Sequence, residues 1–155
     1  MCAPIYVYNQ LGHLSRHFIN IQGENIMQYT VGVIMDPIAS IKPHKDTSFA
    51  MMLEAQRRGA KVVYFELKDL YLDNGKPMGL GKTVSVKDQA TDFYTIEDES
   101  TLHLGDIDVL LMRKDPPFDS EFLYATQVLS LAQDAGALVV NNPQALRDYN
   151  EKLFT

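Results

Sequence analysis

The chain has 155 residues, 46% hydrophobic and 22% charged, which suits one soluble globular domain with a real core and is too short for two ordinary ones. Its formal net charge of −6, with no basic stripe to offset it locally, argues against phosphate-backbone binding, and so against a nucleic-acid partner. No apolar run approaches the roughly 18 residues needed to cross a bilayer, so no membrane partner is expected either.

A single cysteine, Cys2, leaves no internal disulfide and fits a reducing, cytoplasmic setting. Residues 1–26 carry neither the basic start nor the apolar stretch of a secretory signal. His13 and His17 stand four apart, a spacing that could set two metal ligands on one helical face. No third ligand lies near them and no helical pattern surrounds them, so no metal is expected. The segment reads as an appended extension without ordered structure.

Order becomes legible at Met27. Tyr29 to Met35 is a short β-rich run without helical period, as in a strand buried on both faces, and it ends at Asp36-Pro37. The spacing of Phe49, Met52, Leu53 and Gln56 predicts a helix over 47–58, capped by Asp46, Thr47 or Ser48 and stopped by Gly59. Arg57 and Arg58 suit the negative end of its dipole. Lys61 to Phe65 is a second strand, which completes a strand–helix–strand unit and implies a parallel sheet. From Leu70 to Ile96 apolar and polar residues alternate around Asp73-Asn74-Gly75, predicting a small antiparallel hairpin excursion at the sheet's edge. Ile107 to Met112 resumes the parallel pattern and runs into Arg113-Lys114-Asp115-Pro116-Pro117. A helix over 120–135 follows, capped by Asp119, with an apolar stripe of Phe122, Ala125, Thr126, Leu129 and Ala132 and a stop at Gly136. Leu138 to Val140 is the last strand, Asn142-Pro143 opens a short helix, and Asn150-Glu151-Lys152 resembles another helix start.

The commonest layout of these strands sets the first beside the third, with the second on the far side. That creates a topological switch point between strands one and three, where open α/β sheets bind ligands. The loops leaving those strands, 36–46 and 113–117, are charged and stiffened by proline. Each has a structural explanation: Asp36-Pro37 ends a strand, Lys42, His44 and Lys45 form a solvated face, and Arg113, Lys114 and Asp115 hold a surface ion pair. Their convergence favours a ligand carrying both carboxylate and ammonium groups. Arg113 can grip a carboxylate bidentately, and Asp36 or Asp115 can accept from an amine. The helix start at Thr47-Ser48 offers N–H groups to an anion.

Several chemistries lack their motifs. There is no Gly-x-Gly-x-x-Gly after the first strand and no Gly-x-x-x-x-Gly-Lys-Ser/Thr loop, and Gly79-Leu80-Gly81-Lys82 precedes strand-like sequence instead of a helix. No Gly-x-Ser-x-Gly elbow or cysteine–histidine nucleophile is present. A receiver domain would want paired acids after strand one and its acceptor on strand three. The residues alone thus lead to a small-molecule-binding α/β domain.

The same loops carry a family resemblance. Val33-Ile34-Met35-Asp36-Pro37-Ile38, Asp46-Thr47-Ser48-Phe49-Ala50-Met51 and Leu53-Glu54-Ala55-Gln56-Arg57-Arg58-Gly59 resemble the opening of bacterial glutathione synthetases. Asp69-Leu70-Tyr71-Leu72, the stretch from Leu111 to Asp119 and the stretch from Leu146 to Phe154 continue the likeness in the family's order. The resemblance implies a three-layer, Rossmann-like (pre-ATP-grasp) α/β domain with a mostly parallel sheet over 27–141. It also implies a connecting segment, 142–155, to an ATP-grasp domain beyond this chain. The implied activity is the ligation of γ-glutamylcysteine and glycine, with ATP and Mg²⁺, through an acyl phosphate. Nucleotide and metal would be held downstream, so this fragment alone is expected to bind no cofactor and to be inactive. Carried onto this sequence, Asp36, Ser48, Arg113 and Asp115 are the residues expected to touch the peptide or to order the loops that do. Asn142 is expected to help join the two domains, and the full-length protein to be a homo-oligomer. The competing reading is a standalone, non-catalytic binding or regulatory α/β module.

Overall fold

The computed structural model describes residues 5–8, 14–19, 25–115 and 117–149. Near the amino terminus three strands, β1 (Ile5–Tyr8), β2 (Leu14–Ile19) and β3 (Asn25–Met27), pair antiparallel in a sheet of their own. The sequence predicts no order here. The backbone is instead extended where β-branched and aromatic residues cluster, as in Ile5-Tyr6-Val7-Tyr8. His17 sits on β2, and His13 lies outside the described residues.

The main sheet has seven strands: β4 (Thr30–Ile34), β5 (Lys61–Phe65), β6 (Leu70–Asp73), β7 (Lys76–Val86), β8 (Tyr94–His103), β9 (Val109–Met112) and β10 (Leu138–Val140). Its order is β10-β9-β4-β5-β7-β6, with β8 on the other edge of β7. The four strands from β10 to β5 run parallel, with β9 beside β4 and β5 on the far side, as the strand–helix–strand logic predicts. The rest is antiparallel, so the sheet as a whole is mixed.

The antiparallel part is larger than the small excursion the sequence suggests. Asn74 and Gly75 do turn β6 into β7, both with positive φ (49° and 78°). However, β7 then runs for 11 residues and pairs along β8 with a register shift at Thr83/Val84. Gly79-Leu80-Gly81-Lys82 lies inside β7. A Cβ on Gly79 would stand 2.8 Å from Phe65 Cε1, and one on Gly81 would stand 2.7 Å from Val63 Cγ1. These glycines leave room over the sheet for the side chains of Phe65 and Val63.

Helices α1 (Thr47–Arg57), α2 (Ser120–Asp134) and α3 (Pro143–Asp148) begin at the caps the sequence marks. Asp46 accepts from Phe49 N at 2.8 Å, Asp119 from Phe122 N at 3.0 Å and Asn142 from Ala145 N at 3.1 Å. Gly59 and Gly136 adopt positive φ just beyond the first two helices.

The sheet buries both faces. Val33, Val62 and Tyr64 meet Phe49 and Met52 of α1, while Ile34, Val63, Phe65 and Leu110 meet Phe122, Ala125, Leu129 and Ala132 of α2. The result is a three-layer α/β domain. Arg147 fastens α3 to α2 by donating to Thr126 O at 2.8 Å and to Ser130 Oγ at 3.0 Å. Gln56 of α1 clasps Val86 from the side on which β5 has ended, donating to its carbonyl and accepting from its N–H, both at 2.8 Å.

At the end of α1, Arg57 and Arg58 both bond the Glu54 carboxylate, at 2.7 and 2.6 Å. Hydrogen bonds from Arg57 and then Arg58 bring the Glu54 pKa from 4.5 down to about 2. A carboxylate whose folded-state pKa is lowered stabilises the fold above its unfolded value and loses that contribution as pH falls through the folded one. Stability is therefore expected to decline between pH 4.5 and about 2 through this group. The decline should flatten in Glu54→Gln. A carboxyl carbon NMR titration with a midpoint near 4.5 would contradict the assignment.

Candidate functional site

The loops that leave β4 and β9 come together at the carboxyl ends of these adjacent strands. Between them lies a pocket of ≈ 350 Å³, lined by Met35, Asp36, Ser40, Ile41, Lys45, Asp46, Thr47, Ser48, Arg113 and Asp115. All four residues that the sequence marks for the ligand, Asp36, Ser48, Arg113 and Asp115, face this one cavity. Asn142 does not line it. It caps α3 instead, in a position that follows from its place after β10.

Strand geometry explains the gathering. β4 and β9 are parallel neighbours, with Ile34 opposite Met112, so the residues that follow both emerge side by side. Arg113 N donates to Ile34 O at 2.7 Å and carries the pairing one step past the strand. The Arg113 side chain then crosses to the start of α1, where Nη2 donates to Thr47 Oγ1 at 2.8 Å and Nε to Ser48 Oγ at 3.3 Å. Its remaining guanidinium N–H groups are left for the pocket, and among the described residues no carboxylate pairs with it.

Asp36 ties the two loops together. Its Oδ1 lies 3.0 Å from Lys114 Nζ, and its Oδ2 accepts from Asp115 N at 3.3 Å. Lys114 thus pairs across the cleft with Asp36 and not with the side chain of its neighbour Asp115, whose carbonyl it also bonds at 2.6 Å. The Asp115 carboxylate stays exposed at the rim. The lining thus mixes cations, Arg113 and Lys45, with the carboxylates of Asp36, Asp46 and Asp115.

Lys45, which the sequence offers as part of a solvated basic face, is exposed and also lines the pocket. Sequence reasoning missed Tyr64 entirely. The Tyr64 hydroxyl accepts from Ile38 N at 3.2 Å and donates to Glu66 Oε1 at 2.8 Å. Burial above all raises the Tyr64 pKa well beyond the ordinary phenol range, so it stays protonated. The usable signal was a polar aromatic next to last in an otherwise aliphatic buried strand, which must find a partner for its hydroxyl.

A mixed α/β domain with a polar pocket at the crossover of its sheet is the class of protein these elements define. Residues 29–147 match the family model described as prokaryotic glutathione synthetase, N-terminal domain, and the chain belongs to that family. It is 54% identical over 125 residues to the glutathione synthetase of Vibrio parahaemolyticus and 55% identical to that of Escherichia coli O6:H1. Each match covers 81% of this chain and 40% of the relative. The chain therefore spans about two-fifths of the length of these relatives.

Proposed function

We propose that this chain is the substrate-side part of a glutathione synthetase and that its pocket takes the carboxylate and ammonium groups of γ-glutamylcysteine. The observation that carries this reading is Arg113: a half-buried guanidinium that faces the cavity without a carboxylate partner among the described residues, held in place by Thr47 and Ser48. An arginine so oriented suits a carboxylate gripped through two parallel N–H bonds. Asp115 and Asp46 stand where an ammonium would be accepted. Asp36, engaged by Lys114 and Asp115 N, orders the two loops around the pocket.

The reading carries to the whole protein the family's reaction, the joining of γ-glutamylcysteine to glycine with ATP hydrolysis through an acyl phosphate. Among the described residues no three His, Cys, Asp or Glu side chains gather to hold a cation. The Gly79–Lys82 stretch is strand. This reading therefore assigns ATP and Mg²⁺ to none of the described residues. Association with an ATP-grasp domain, with Asn142 near the junction, and assembly into a homo-oligomer belong to the same proposal. No helix among the described residues is long and apolar enough to cross a membrane.

Calorimetry with γ-glutamylcysteine tests the site. Arg113→Ala is expected to weaken binding by at least about tenfold, the scale of a lost charge-assisted pair. Arg113→Lys should recover only part, because a lysine cannot make the two-pronged contact. Unchanged affinity in Arg113→Ala would remove the pocket from the substrate site.

A further inference from the structure

We propose that Tyr64 is a positioning residue for this pocket: its hydroxyl fixes the turn that carries Asp36, and through Asp36 the opposite loop. The proposal rests on the reading of the pocket as a ligand site. Tyr64 is 2% exposed and never touches the cavity, so it acts through other groups.

A phenol has one proton to give and lone pairs to receive with. The Glu66 carboxylate accepts the hydrogen bond from the Tyr64 hydroxyl at 2.8 Å. Glu66 is held ionised, first by the hydrogen bond from Lys68, which lowers its pKa. It is set in place by the Asp69 carboxylate, which accepts from Glu66 N at 2.9 Å, and Lys82 Nζ bonds that carboxylate at 3.1 Å while lying 5.6 Å from the centre of the Tyr64 ring. The orientation of the hydroxyl is thereby determined, and its lone pairs meet the N–H of buried Ile38 at 3.2 Å. Pro37 stands between Ile38 and Asp36 with φ of −50°, and its ring fixes that torsion and so reduces the freedom of Asp36 relative to Ile38. Ser40 closes the turn, with its N and Oγ both bonded to Pro37 O, at 2.8 and 2.7 Å. A chain of single contacts thus runs from Lys82 on β7 to Asp36, and from Asp36 to Lys114 and Asp115 N on the facing loop.

Tyr64→Phe deletes one oxygen and keeps the ring. In the 155-residue chain followed by NMR, we expect the Ile38 amide to exchange about tenfold faster, the scale of one lost hydrogen bond in a buried site. The Asp115 amide resonance, set by its bond to Asp36, should shift, while the Val63 and Leu110 amides keep their exchange rates. Affinity for γ-glutamylcysteine should fall severalfold. If Tyr64→Phe does not fold, Glu66→Ala, which frees the hydroxyl to turn, should give the same pattern. An unmoved Asp115 resonance, or a uniform acceleration of all amides, overturns the proposal. If the local pattern appears and neither parent nor variant binds the dipeptide, the positioning role stands and the substrate reading fails.

Discussion

Asp69→Ala is expected to destabilise the fold by about 3 kcal/mol, near the lower bound for breaking a buried ion pair, and to lower the melting temperature by roughly 6–12 °C. Asp69 is 7% exposed, and its carboxylate serves two donors, Lys82 Nζ at 3.1 Å and Glu66 N at 2.9 Å. Its removal leaves a largely buried ammonium whose remaining carboxylate, Glu99, is 3.8 Å away and half exposed. That second partner keeps the loss toward the small end of the range. The cost comes mainly from the charge left behind, so removing both charges should restore much of the stability. Asp69→Leu combined with Lys82→Met is expected to recover at least half of the loss. Chemical denaturation that finds the double variant no better than the single one would show that the pair is not the source.

Gly105→Ala should cost about 2–3 kcal/mol, the upper part of the range for adding a methyl to a full site. Its Cβ would stand 2.5 Å from Ala135 Cβ, 2.8 Å from His103 Cε1 and 3.1 Å from Ala135 O. The histidine ring can rotate aside, but the methyl and carbonyl of Ala135 are fixed to the end of α2. Either that helix end or the turn at Leu104–Asp106 must move, and both adjoin the core around Leu104 and Ala132. Gly32 provides a comparison. There the closest atom, at 2.6 Å, is the Leu110 Cδ2 methyl, which a change of rotamer could withdraw. Gly32→Ala should therefore be the milder substitution. Equal melting temperatures for the two variants would contradict this ranking.

The parallel half of the domain was legible because its signals are local and redundant. Asp46, Asp119 and Asn142 each cap the helix that follows, and Gly59 and Gly136 each close one, so caps, period and stops all agreed. The cavity was legible because the strand order brings the ends of β4 and β9 together, and their loops could be named from the sequence. The extent of β8 was not legible. Its middle carries Glu97 at the register shift and Asp98 and Glu99 on the rungs beside it, all exposed on an edge, so apolar alternation is absent there. Nor was the role of Asp36. A carboxylate at a strand end gives no local sign of its partner, and the pairing with Lys114 spans the gap between two loops far apart in sequence. Tyr64 escaped because its contact with Ile38 spans 26 residues, and no periodicity encodes a single side-chain bond at that separation.

The clasp of Gln56 on Val86 binds together parts that the strand ladder joins only weakly. β5 and β7 share just two rungs, Val63 with Thr83 and Tyr64 with Lys82. The amide of Gln56 holds the last rung of β7 instead, so the end of that strand and the last turn of α1 are expected to open together.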